Sequence, residues 1–465
     1  MKCKASFFVS VCRLAIPVAL QSMLQASFGI VDQIMIGQLG SVSVAGVGLA
    51  GKFSGIVSVV VAAIGSVAGI MISQYLGQKN APEVRRSFYA NLLLACGIAG
   101  LFTALCALFP GSIMGLYTKD LPTRQAAADY LAIVAGSFLP MAGATLLSTL
   151  FRCMEKARLP LYASMVSAVL NTGLNYMLIF GKCGFSAMGA NGAAIATVLS
   201  QCANFLLMLL MLLMLPKQGA SFVRPAEGKR AAARFNWKQY GAMLLPILVC
   251  EIVWSLGENV YAAIYGHMGT QSSAAMTLTN PIQGLMIGAL CGLSQAAGII
   301  IGKKLGSREY EAAYQASKKL ILYGAVGALV LSAVILLLSP VYVVIYQVEP
   351  DVKRLTVQIL FAYALIAPVK VLNMILGGGI IRSGGKTKYV MVIDMIGTWG
   401  FGVPLGLLAA FVLKLTIPFV YFILSLEECI RFGISVVVFR RRTWMQSLEA
   451  AEAGPATEPP SDSVL

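Results

Sequence analysis

The chain is poor in charge. Only 12% of its 465 residues are Asp, Glu, Lys or Arg, against 58% hydrophobic, and a water-soluble domain of this length needs far more charge to cover its surface. A soluble globular protein is excluded on that ground. Histidine is almost absent, with His267 the single example, and the ten cysteines include no CxxC pair. A histidine-built metal or catalytic centre and a thiolate zinc site therefore both lack their ligands. An enzyme is not expected, nor a disulfide framework, because Cys96, Cys106, Cys202, Cys250, Cys291 and Cys429 sit inside apolar runs as small hydrophobes. Acids are the scarcer sign, 19 against 35 Lys and Arg. The surplus bases are scattered over several loops between apolar runs, which is membrane topology and not nucleic-acid binding.

What the chain has in abundance is apolar length. Its mean hydropathy is +0.81, and windows able to cross roughly 30 Å of hydrocarbon recur about twelve times. They lie near 14–36, 45–75, 88–109, 126–150, 159–180, 189–215, 241–266, 272–302, 315–345, 355–381, 388–412 and 416–439. The short basic start, Lys2 and Lys4, runs through Arg13 straight into a full span, so no cleavable signal peptide is expected. One set of loops is basic: Lys79, Arg85 and Arg86; Arg152, Lys156 and Arg158; 217–238; Lys303, Lys304 and Arg308; Arg382, Lys386 and Lys388; Arg440, Arg441 and Arg442. The alternate loops are uncharged, balanced, or carry a lone Lys182 or Lys414. The positive-inside rule puts the basic set and both termini in the cytoplasm, which requires an even number of spans.

The chain also repeats itself. Residues 17–77 lie without a gap on 246–306, a constant offset of 229, pairing Pro17 with Pro246, Gly37 with Gly266, Gly40 with Gly269, Ala45 with Ala274 and Gly55 with Gly284. The match runs on through AGIMISQYLG at 68–77 and AGIIIGKKLG at 297–306. Self-similar hydrophobic halves in one orientation predict two bundles facing each other across an axis along the membrane normal, with a path between them. The expected fold is thus an all-α polytopic membrane protein, twelve transmembrane helices in two six-helix bundles related by pseudo-twofold symmetry. The expected parts are an N-terminal bundle over 1–215, a cytoplasmic linker over 216–240, a C-terminal bundle over 241–442, and an acidic, proline-rich tail over 443–465 that cannot bury apolar area.

Chemistry must come from the few ionisable groups inside the spans, each costly unless it faces protein, water or an ion. These are Asp32, Glu251, Glu258, Lys370, Asp394 and the Glu427, Glu428 and Arg431 group. Asp32 shares a helical face with Gln21 and Gln25, a polar stripe suited to an ion or proton. Asn171 and Asn175, four apart, offer two carbonyl oxygens to a common point, and with Asp32 they could form an oxygen site for Na+. A proton needs only the carboxylate. Glu251 and Glu258 lie two turns apart with Trp254 between them, which gives a lipophilic cation charge and an aromatic platform. Asp394 could join them, and Lys370 could pair with any of the three. Glu427 and Arg431 have the spacing of an i,i+4 ion pair.

Several motifs together resemble the multidrug and toxic compound extrusion (MATE) family. They are LAIPVALQSMLQASFGIVDQIMIGQLGSVSVAGVGLA, AGIMISQYLGQKN, LNTGLNYMLIFG, NGAAIATVLSQ and RSGGKTKY, and the likeness extends from Leu14 to about Trp444. The resemblance implies alternating access and export of organic cations and drugs driven by entry of Na+ or H+. It matches the family's first-span acid to Asp32, its fifth-span polar positions to Asn171 and Asn175, and its sixth-span threonine to Thr197. Many members carry aspartate where this chain has Asn175, and neither Glu251 nor Glu258 is in register with the seventh-span acid of members that have a second-half cation site. Asp32, Asn171, Asn175 and Thr197 are thus the expected ion-coupling set, and Glu251, Trp254, Glu258, Asp394 and Gln25 the expected substrate set. No cofactor beyond the coupling ion is expected, the membrane is the plasma membrane, and a monomer suffices. The alternative is a related flippase or an exporter of a lipid-linked precursor or metabolite.

Overall fold

The computed structural model describes residues 7–215, 236–346 and 348–448. Among them there is no strand. Eleven helical segments are long and apolar enough to cross a membrane: α1 Phe7–Gly37, α2 Ser41–Gly77, α3 Ala81–Leu108, α4 Leu121–Cys153, α5 Arg158–Phe180, α6 Gly189–Leu213, α7 Trp237–His267, α8 Thr270–Gly306, α9 Tyr310–Val344, α10 Pro350–Ile381 and α11 Thr387–Val412. The protein is an all-α polytopic membrane protein.

The twelfth expected span, 416–439, is interrupted. It forms two shorter helices, α12 Ile417–Ser425 and α13 Glu427–Arg440, joined at Leu426. The ladder tightens there: Leu426 N–H donates to the Ile423 carbonyl and Cys429 N–H to that of Leu426, both three residues back. Glu427, Glu428 and Arg431 follow directly, and each has a partner on a neighbouring helix.

The internal repeat survives in the helices. α1 and α7 are both 31 residues long with a proline inside, Pro17 and Pro246, while α2 and α8 are both 37. Gly40 and Gly269 close the intervening turns at φ 90° and 109°, a backbone region that side chains disfavour. The prolines are tolerated inside spans because neighbouring helices satisfy the freed carbonyls.

The described residues fall into two compact units. One comprises Ile16–Ile72 and those of Ala81–Trp237; the other comprises the residues up to Ala15, Ser73–Asn80 and those from Lys238 onward. In the first unit α5 lies along α6 and α3 against the second half of α4, and the core is small-residue rich, with Ala142, Leu146, Ala163, Ala194 and Ala196 buried. Small residues let helix backbones approach where lipid offers no hydrophobic drive.

In the second unit α10 is central, packing on α8, α9 and α12 through Tyr363, Ala367, Ile375 and Ile380. Its last turns, Met374–Ile381, widen into a π-helix, and α11 widens likewise over Ile396–Gly402 and Leu408–Val412. Such widened turns commonly occur at functional positions.

The two copies of the repeated motif meet within this unit. A Cβ at Gly77 would run into the Lys303 carbonyl, and one at Gly306 into the Gln74 carbonyl. Gln74 is a hub there: its amide donates to the Ser383 carbonyl at 2.8 Å, and its oxygen accepts from Leu448 N–H at 2.9 Å. The segment after α13 is held by that bond and by Trp444, fully buried and stacked on Phe439, whose ring in turn stacks on Tyr314.

Candidate functional site

In the first unit α1, α5, α6 and α4 each bring one part of a polar cluster. Asp32, near the end of α1, accepts a hydrogen bond of 2.7 Å from the Asn175 amide on α5. One turn earlier on α5, the head of Asn171 lies 2.9 and 3.1 Å from the two Asp32 oxygens. If its nitrogen faces the carboxylate, Asn171 donates to both oxygens and the anion is satisfied. If its oxygen does, that oxygen accepts from Asn175 Nδ2 and its nitrogen donates to Ser200 Oγ, each at 3.3 Å. In that orientation three oxygens converge, which is stable only with a positive charge or a proton among them. The Asn175 carbonyl oxygen is buried and has no hydrogen-bond partner.

The second layer is set by α6. Ser200 donates to the Thr197 carbonyl at 2.9 Å, and Ser167 on α5 donates to the Ser200 carbonyl at 2.7 Å. Thr197 donates to its own helix at the Ala193 carbonyl and shares a hydrogen bond with the hydroxyl of Tyr130 on α4. Tyr130, Ser167 and Ser200 are invisible as site residues in the sequence, since one tyrosine or serine in an apolar run looks like any packed side chain.

The α1 stripe divides. Gln21 is buried and bonded to Ser164 at 2.8 Å and Arg152 at 2.9 Å, whereas Gln25 is exposed and the described contacts do not link it to Asp32. The shared face puts the three residues in line, but each meets a different neighbour.

The second unit carries a larger ionic network. Asp394 pairs with Arg431 and accepts from the Cys250 thiol at 2.8 Å. Arg431 also reaches Glu428 at 3.4 Å and Glu427 at 4.0 Å, so the i,i+4 pair exists but is the looser of its three contacts. Glu427 accepts from the Tyr261 hydroxyl at 2.7 Å, and Glu428 from the Asn373 amide at 2.8 Å. Glu251 stands apart, 4.0 Å from Arg382.

Two cavities open among these groups. One, of about 260 Å³, is lined by Glu258, Tyr261, Asn280, Gln283 and Glu427; the other, of about 280 Å³, by Trp254, Ile287, Met374, Ile393 and Asp394. Glu258 therefore faces one cavity and Trp254 the other, and Glu251 lines neither. Two turns along one helix do not bring these three to a single point. Among the described residues no group of three His, Cys, Asp or Glu side chains could hold a metal ion.

Comparison with known proteins decides the family. The MatE family model matches residues 17–177 and again 246–408, at positions that follow the internal repeat. The chain belongs to the MatE family. It is a membrane transporter and not an enzyme. An uncharacterized transporter of Bacillus subtilis, YisQ, is 23% identical, with 92% of this chain and 93% of that one covered. A probable multidrug resistance protein NorM of Agrobacterium fabrum is 25% identical, with 87% and 88% covered. Among solved structures, a MATE protein in the straight conformation superposes with a TM-score of 0.85 at 17% identity, over 94% of this chain and 96% of that one. A transporter from Pyrococcus furiosus superposes at 0.81 and 16% identity with the same shares; its reversed pocket polarity is described as suggesting a different function for it. The fold of this MatE transporter is therefore that of the solved family members.

Proposed function

We propose that the protein is a secondary active multidrug efflux antiporter of the plasma membrane, with both termini cytoplasmic, exporting organic cations in exchange for Na+ or H+ by alternating access. One observation carries the reading: the Asp32 carboxylate, inside a span, accepts from the Asn175 amide at 2.7 Å, and the head of Asn171 lies 2.9 Å from it. With the amide nitrogen on Asp32 the carboxylate is satisfied as an anion. With the amide oxygen on Asp32, the 2.9 Å separation suits either a protonated carboxyl donating to Asn171 or a monovalent cation among the oxygens of Asp32, Asn171 and Asn175. A single carboxylate with amide oxygens lacks the charge that a divalent ion would want.

Coupling follows from differential affinity. Ion binding at Asp32 must favour the conformation that has released its substrate, and substrate must favour the other. Thr197 supports the site through its carbonyl, which accepts from Ser200. Glu251, Trp254, Glu258, Asp394 and Gln25 are proposed for substrate, the cavity-lining members being the ones in a position to touch it. Relatives named as probable multidrug resistance proteins support the drug-export reading. A flippase or metabolite exporter for anionic cargo is the second reading; Glu258, Glu427 and Glu428 against Lys370 make the first cavity acidic and speak against it there.

The test is uptake of a fluorescent organic cation into proteoliposomes under an imposed Na+ or H+ gradient, wild type beside Asp32→Asn. We expect one gradient to drive transport and the substitution to abolish it while the protein stays folded. Undiminished gradient-driven transport in Asp32→Asn would falsify the assignment.

A further inference from the structure

Residues 444–448 lie across the ends of several elements of the second unit. Trp444 stacks on Phe439, whose ring stacks in turn on Tyr314 of α9. A Cβ at Gly384, between α10 and α11, would run into the Trp444 carbonyl. The Leu448 carbonyl accepts from Gln239, near the start of α7, at 3.3 Å. Toward α2 a single buried side chain makes the connection. Gln74 donates to the carbonyls of Ser383 and Gln446 at 2.8 and 3.4 Å and accepts from Leu448 N–H at 2.9 Å. Two of those three bonds end on residues 446–448.

The internal repeat loses its likeness at this position. With the offset of 229, Gln74 falls on Lys303, and an ammonium has no acceptor to offer a backbone N–H. The connection therefore belongs to α2 alone. Gln74 also stands just past the place where α2 changes unit, with Ile72 in the first and Ser73 in the second. Residues 444–448 read WMQSL and carry no charge, so only apolar contact and neutral hydrogen bonds hold them. Such bonds have modest net worth because water replaces them on release, which suits a fastening that opens.

We propose that residues 446–448 are a latch on the end of α2. Closed, the latch keeps 73–77 on the second unit; open, it frees that turn to move with the rest of α2, and so it biases the balance between the two states of alternating access. The latch rests on alternating access, and on neither the ion nor the substrate proposed above.

A reporter thiol on α2 tests it. Ser73 is buried, and in a cysteine-free background the alkylation rate of Ser73→Cys by a maleimide reports release of the turn. The purified protein is labelled in lipid nanodiscs without gradient or substrate, so failure of the antiport reading leaves the readout untouched. A chain ending at Met445 keeps Trp444 but loses the bonds of Gln446 and Leu448 to Gln74 and Gln239; a chain ending at Leu448 keeps them. We expect labelling about tenfold faster in the first than in the second, as loss of one or two neutral hydrogen bonds gives. Gln74→Leu in the full-length chain should match that acceleration, and the chain ending at Leu448 should match the full-length one. Ser332→Cys, buried about five turns along α9 from Tyr314, should label at one rate throughout. Where a variant is not monodisperse on size exclusion, Gln239→Met removes one bond only and should accelerate labelling about threefold. Equal Ser73→Cys rates in the two shortened chains overturn the latch, as do equal rates with and without Gln74→Leu. A rise at Ser332→Cys that matches the rise at Ser73→Cys overturns it too, since the whole unit would then have loosened.

Discussion

Asp32 would be an expensive residue in a membrane if it stood alone, and two asparagines keep it from doing so. Asn175 donates to the carboxylate at 2.7 Å, and Asn171 lies against both of its oxygens. Asn175→Leu removes a donor from an anion inside the membrane, and Asn171→Leu removes the second polar group at the carboxylate. Replacing Asn171 should raise the ion concentration for half-maximal transport by about tenfold, the scale of a hydrogen bond to a charged group. Asn175→Leu should do so too and also lower folding yield. Transport assayed across a series of Na+ or H+ concentrations gives both values, and an unchanged midpoint in Asn171→Leu would leave Asn171 without a role in ion binding. The sequence spacing i,i+4 put both asparagines on one face of α5; that α1 supplies the acid opposite them is a tertiary fact.

At the scale of elements, the repeated motif is explained by where its copies go. The ends of α2 and α8 approach so closely that Gly77 and Gly306 each face the other helix's backbone, and only a residue without a Cβ fits there. Gly77→Val should therefore prevent stable assembly, seen as loss of monodisperse protein on size exclusion. The segment beyond α13 is a second device of this kind. Trp444 has no exposed surface and stacks on Phe439, while Arg442 lies 4.1 Å above the Tyr314 ring and pairs with Glu311 at 2.9 Å. Trp444→Ala should cost about 3–5 kcal/mol, as for large aromatic truncations in cores, visible as a lowered thermal midpoint in detergent. A midpoint within a degree of wild type would show that this segment holds nothing. Sequence reading assigned 443–465 to a tail without structure; residues 444–448 are packed, and those from 449 on lie outside the described residues, as do the expected linker's residues 216–235.

For the whole molecule the chain passes between its two units inside helices as well as between them. α1 changes unit between Ala15 and Ile16, and α2 between Ile72 and Ser73. A domain division drawn at the middle of the sequence misses both passages, because contacts and not chain order define a unit. Membrane orientation remains a matter of charge. With reporter cysteines in a cysteine-free background, a membrane-impermeant thiol reagent applied to intact cells should label Lys414→Cys and spare Lys386→Cys. The opposite pattern would invert the proposed topology.

The sequence by itself determined the solvent, the helices, the repeat and the short catalogue of costly charges. Lipid permits few backbone solutions, and apolar length, loop charge and a constant offset are all written along one dimension. What it could not decide was which charges meet. Glu251, Trp254 and Glu258 share a helix face yet serve different surroundings, Asp394 is claimed by Arg431, and Lys370 is left without a close partner between two cavities. Those outcomes depend on which helix stands opposite. Ion pairing acts over a few ångströms between residues far apart in sequence, so only the packed structure could settle it.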